Sequence, residues 1–163
     1  MYKRKDSIPG ITVKIPGEKR PLRIDNVVID FNGTLAIEGR LIGGAASRLR
    51  KLARQANIIV LTSDTFGSAR RALVGLPITI HIIKHGLEKL RFVKSIGPRH
   101  VAVVGNGLND VPMVKAAALG IAVIGAEGAS GEMLRAAMVV VRDINNALDL
   151  LLKPKRLIAT LRR

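Results

Sequence analysis

The chain contains no cysteine and no tryptophan, and its 163 residues include only one tyrosine and three phenylalanines. Without cysteine, disulfides, thiol nucleophiles and thiolate metal sites are all excluded. Aromatics make up 2% of the chain against 48% hydrophobic residues, so the interior must be built from Val, Ile, Leu and Ala. That palette suits strands covered on both faces of a parallel sheet. Aromatics interleaved with basic residues are also lacking, which argues against a stacking platform for single-stranded nucleic acid. No apolar run is long enough to cross a bilayer; the longest, Ala116 to Ala126, is broken by Gly120 and Gly125. Met1-Tyr2-Lys3-Arg4-Lys5 leads into polar turn residues rather than an apolar signal segment, so a cytoplasmic location with no membrane partner is expected.

Acidic residues are scarce as well: 12 against 27 Lys and Arg give a net charge of +15. Charge of this size bears on partners and solubility rather than on fold. An anionic substrate, a nucleic-acid surface and a solvated basic face each satisfy it. The basic residues concentrate at Lys3–Lys5, Lys14–Arg23, Arg48–Arg54 and Lys153–Arg163.

What is present is a regular alternation of short apolar runs and helical spacings. Ile11–Ile15 and Arg20–Ile24 flank Pro16-Gly17 and read as a hairpin. Val27-Val28-Ile29 reads as a buried strand ending at Asp30, and Leu35–Ile42 as a small flap hairpin around Glu38-Gly39. Further strands are predicted at Ile58–Leu61, Ile78–Ile83, Val101–Val104, Ile121–Ile124 and Met138–Val141. Helices are predicted at Ala45–Gln55, Ser68–Val74, Glu88–Ile96 (Leu87, Leu90 and Val93 inward), Pro112–Leu119, Ser130–Ala137, Ile144–Leu152 and Pro154–Leu161. Strands alternating with helices imply an α/β fold with a doubly wound, three-layer parallel sheet. A single domain is expected, with a hairpin extension over 1–25, a core over 26–142 and C-terminal helices over 143–163.

Ligands of open α/β sheets bind beyond the carboxyl ends of the strands, and several polar groups fall there. Asp30 ends its strand in Asp30-Phe31-Asn32-Gly33-Thr34-Leu35. Asn32-Gly33 is also a strong tight-turn signal, but a carboxylate at a buried strand end is costly unless something pairs with it. Thr62 and Ser63 end the next strand, where hydroxyls and backbone N–H groups could hold phosphate oxygens or simply cap a helix. Gly105-Asn106-Gly107-Leu108-Asn109-Asp110 follows the Val101 strand, and Asp110 either ligates or caps the helix entered at Pro112. Lys89 opens the helix leading into that strand, with Lys84 as its competitor.

Taken in order, a carboxylate, a hydroxyl, a lysine and a second carboxylate at four strand ends resemble the haloacid dehalogenase superfamily, whose first motif is Asp-x-Asp-Gly-Thr. Thr62-Ser63-Asp64 and the Gly105–Asp110 segment are similar to the phosphorylation domain of P-type ATPases, and the chain resembles a soluble archaeal P-type-ATPase-like group. The resemblance implies a Mg2+-dependent phosphohydrolase or ATPase-like hydrolase. It makes Asp30 the nucleophile, and Asp30, the Asn32 backbone carbonyl, Asn106 and Asp110 the metal ligands. Gly33, Thr62, Ser63 and Lys89 would hold the phosphoryl group. Two departures stand out. Asn32 replaces the family's acid–base aspartate, and Asn106 replaces a carboxylate, implying weaker Mg2+ binding and slow turnover. The family's cap insertions are missing too, so water exclusion would fall to homo-oligomerisation or to a large anionic substrate. A non-catalytic module binding nucleic acid or a protein through its charge is the alternative reading.

Overall fold

The computed structural model describes residues 8–63 and 67–162. Lys3–Lys5 and Asp64, noted above, lie outside them. Six strands form one parallel sheet, and the four inner ones are buried along their whole length. In chain order they are β3 (Asn26–Asp30), β6 (Asn57–Thr62), β7 (Thr79–Ile82), β8 (Val101–Gly105), β9 (Leu119–Val123) and β10 (Val139–Val141), arranged β10-β9-β8-β3-β6-β7. Every neighbouring pair is parallel. Two short antiparallel hairpins lie outside it: β1 (Ile11–Val13) with β2 (Leu22–Ile24), and the flap β4 (Ala36–Ile37) with β5 (Arg40–Leu41).

The period-two side-chain alternation of strands divides the core in two. Val27, Ile29, Ile58, Val60, Ala102 and Val104 face α1 (Ala45–Leu52) and α6 (Ile144–Leu152), with Leu157 of α7 (Pro154–Leu161) and Ala69 of α2 (Ser68–Ala72) extending that layer. Val28, Ile59, Leu61, Val101 and Val103 face α3 (Gly86–Ser95), α4 (Val111–Ala116) and α5 (Gly131–Ala136). Helices on both faces and an all-parallel sheet give the doubly wound α/β fold that the pattern predicted.

Several boundaries shift. α1 stops at Leu52, and Ala53–Gln55 turn instead of continuing the helix. α4 stops at Ala116, because Leu119 is taken by β9, where it is wholly buried. The largest correction concerns α3. Leu87 is 62% exposed, and the buried positions are Lys89 and Val93. The helix turns a lysine inward where hydropathy expected a leucine.

Candidate active site

The parallel register sets the site. Asp30, the last residue of β3, pairs with Leu61, so Thr62 stands one step beyond it on the adjacent strand. On the other side Ile29 pairs with Val104, which brings Gly105 level with Asp30 and Asn106 just beyond. Three central strands therefore deliver Asp30, Thr62 and Asn106 to one end of the sheet. Asp30, Thr62 and Asp110 are all buried there.

Past β8 the chain must double back at once. Gly105 permits this, because a Cβ there would lie 2.6 Å from Asp110 Oδ2. Asp110 closes the short turn Leu108–Asp110, and its Oδ2 accepts the backbone N–H groups of Asn106 (3.1 Å) and Gly107 (3.0 Å). Its Oδ1 is left facing Lys89. The Lys89 ammonium, 1% exposed, donates to Asp110 Oδ1 at 2.6 Å and to Asp30 Oδ1 at 2.5 Å. Lys84 is exposed and takes part only through its backbone N–H, which donates to the Glu88 carboxylate. Of the two lysines, Lys89 is the one that reaches Asp30.

The remaining oxygen of Asp30 meets a residue that the sequence reading left out of the site. Thr34 Oγ1 lies 3.3 Å from Asp30 Oδ2 and 3.2 Å from Asn106 Oδ1. The signal was its place in the Asp30–Leu35 segment, directly after the Gly33 turn. Gly33 itself has φ +76° and no room for a Cβ. The Asn32-Gly33 pair does not close a hairpin on β3, whose neighbours are both parallel; it opens the turn into the flap. Asn32 and Ser63 are exposed at the rim.

Electrostatically the pocket is short of positive charge. Two buried carboxylates share one ammonium. Burial, reinforced by the Asp110 charge, pushes the Asp30 carboxyl up to about 6 although Lys89 pulls the other way. Burial would likewise depress Lys89, but Asp30 and Asp110 outweigh it and hold the ammonium above its ordinary range. Unpaired buried charge of this kind is expensive.

A divalent cation fits this donor set. A hydroxyl has one proton, so Thr34 cannot serve Asp30 Oδ2 and Asn106 Oδ1 together, and one of these oxygens keeps a lone pair unmatched. The site offers hard oxygens and a deficit of positive charge, which suits Mg2+. Among the described residues no three Asp, Glu, His or Cys side chains gather closely enough to hold a metal. Any ion would therefore rest on two carboxylates plus neutral oxygens.

Comparison with known proteins agrees with this architecture. Residues 77–147, which carry Lys89 and the Gly105–Asp110 turn, match the family of haloacid dehalogenase-like hydrolases. The chain belongs to the haloacid dehalogenase-like hydrolases. A relative, an uncharacterized protein of Methanocaldococcus jannaschii, is 43% identical over 92% of its own length and 48% of this chain. Among solved structures, the 3-deoxy-D-manno-octulosonate 8-phosphate phosphatase of Moraxella catarrhalis, in complex with magnesium, phosphate and its sugar, superposes with a TM-score of 0.69. That likeness is at 18% identity, over 85% of this chain and 94% of the other. A zinc-transporting PIB-type ATPase matches with a TM-score of 0.61 at 24% identity, over 73% of this chain and 20% of the transporter. These likenesses establish the shared fold of the hydrolase family.

Proposed function

We propose that this hydrolase cleaves a phosphate ester or anhydride by transferring the phosphoryl group to Asp30. The observation that carries the reading is the Lys89 ammonium bound to both Asp30 and Asp110 at the tips of the central strands. Such a constellation places positive charge beside a carboxylate nucleophile, which is what phosphoryl transfer requires. Asp30 supplies the attacking oxygen. Lys89 neutralises that carboxylate and the incoming phosphoryl oxygens, and the Thr62 hydroxyl with the Ser63 backbone holds those oxygens in place, while the Gly33 N–H, given to the Ala36 carbonyl (2.9 Å), shapes the turn instead. Asp30, Asp110, the Asn32 carbonyl and the Asn106 carboxamide oxygen would hold Mg2+, which supplies further charge neutralisation when bound. The net charge of +15 favours an anionic substrate.

The finer form of the reading is a protein of the P-type-ATPase-like kind, in which Asn32 leaves the first motif without a proton carrier of its own. The test is hydrolysis of an aryl phosphate and of ATP with Mg2+, comparing wild type with Asp30→Asn. Turnover should depend on Mg2+ and disappear in the variant. Activity that survives Asp30→Asn would overturn the assignment.

A further inference from the structure

The loop between β9 and α5 brings a third carboxylate to this site. It turns through Gly125 (φ +60°) and Gly128 (φ +77°) and folds back over the Gly33 turn. Three contacts pin it there. Asn106 Nδ2 donates to the Gly128 carbonyl (3.0 Å), the Ser130 backbone N–H donates to the Asn106 carbonyl (3.0 Å), and Gly125 packs so closely that a Cβ would stand 3.1 Å from the Gly33 carbonyl oxygen. Glu127 sits between the pinned residues. A Cβ built on Gly33 would lie 2.8 Å from Glu127 Oε2 and 2.5 Å from Asn106 Nδ2, so the carboxylate occupies the space left by the glycine next to Asn32.

We propose that Glu127 is the acid–base residue of this site, carried there by Asn106. The inference rests on the Asp30 reading above and supplies what that reading lacks. An amide at Asn32 can neither give a proton to a leaving oxygen nor take one from water. Glu127 is exposed, so its carboxylate stands open to water, unlike the buried Asp110. The Asn at 106 has its own rationale here. Its amide N–H donates to the Gly128 carbonyl, which an aspartate could not do, so the residue that weakens the metal set fastens the loop carrying Glu127.

In the first step an Asp30 oxygen bonds to phosphorus, the ester P–O bond breaks, and the leaving oxygen takes the proton of the Glu127 carboxyl. In the second step water bonds to phosphorus, its proton passes to the Glu127 carboxylate, and the P–O bond to Asp30 breaks. Phosphate leaves, and Asp30 and Glu127 return to their starting states.

The experiment uses p-nitrophenyl phosphate with Mg2+, whose leaving group departs without protonation. Glu127→Gln should keep the first-turnover burst of nitrophenolate while its steady-state rate falls by about 10²–10⁴-fold and phosphorylated protein accumulates. Adding Asn32→Asp to Glu127→Gln should restore most of the lost rate. A Glu127→Gln variant with wild-type steady-state turnover overturns the proposal and leaves the Asp30 reading intact. Equal loss of burst and steady state also overturns it, since that makes Glu127 a positioning residue. Absence of Asp30-dependent turnover in the wild type overturns both readings.

Discussion

Asp30 ends a buried strand, and its surroundings set how the fold responds to pH. Its carboxyl, pushed up to about 6 by burial and by Asp110, is ionised at neutral pH against an unfavourable environment. The folded value lies above that of an unfolded aspartate, so the protonated form is the one that folding favours. Its contribution to stability is fully present below the unfolded value near 4 and is lost as pH rises through about 6. In metal-free protein, the stability of wild type relative to Asp30→Asn should therefore fall as pH rises across that window. Saturating Mg2+ should remove the trend by pairing the carboxylate. Thermal melts in chelator and in Mg2+ across pH 4 to 8 read this directly, and a difference that grows with pH in chelator would contradict it. Asp30, Thr62 and Asp110 were legible from sequence because strand ends in a parallel sheet converge. Thr34 and Glu127 were not, because their roles depend on a turn geometry and a loop path set by tertiary contacts. The paired glycines Gly125 and Gly128 at the end of a predicted strand were the available signal.

At the scale of elements, α3 marks the limit of hydropathy. A period of 3.6 residues placed Leu87, Leu90 and Val93 inward, yet the helix is rotated so that Lys89 and Val93 are buried and Leu87 faces out. A lysine turned into the interior cannot be told from a surface lysine by its own sequence; the decisive partners, Asp30 and Asp110, lie 59 and 21 residues away. Substitutions can verify the rotation. Leu87→Ala should leave stability within about 0.5 kcal/mol, whereas Val93→Ala, which empties a wholly buried position, should cost about 2 kcal/mol. Denaturant midpoints measure both, and a loss at Leu87→Ala as large as that at Val93→Ala would show that the helix sits as the pattern first predicted. The strands were easier. Val27–Ile29, Ile58–Leu61 and Val101–Val104 are continuous apolar runs, the pattern of strands covered on both faces of a parallel sheet. Element ends moved where a neighbour claimed the residue, as Leu119 went to β9.

At the scale of the whole molecule, sheet order does the functional work. Placing β3 between β6 and β8 brings residues from distant parts of the chain to one end of the sheet, where two carboxylates share a single ammonium. A crystal structure grown with Mg2+ and beryllium fluoride, a mimic of the aspartyl-phosphate, is the decisive measurement of that convergence. Expected are density continuous with an Asp30 oxygen, Lys89 Nζ in contact with the fluorides, and a metal ion between Asp30 and Asp110. Beryllium fluoride bound elsewhere, or an unmodified Asp30 with its Lys89 pairing unchanged at saturating ligand, would contradict it.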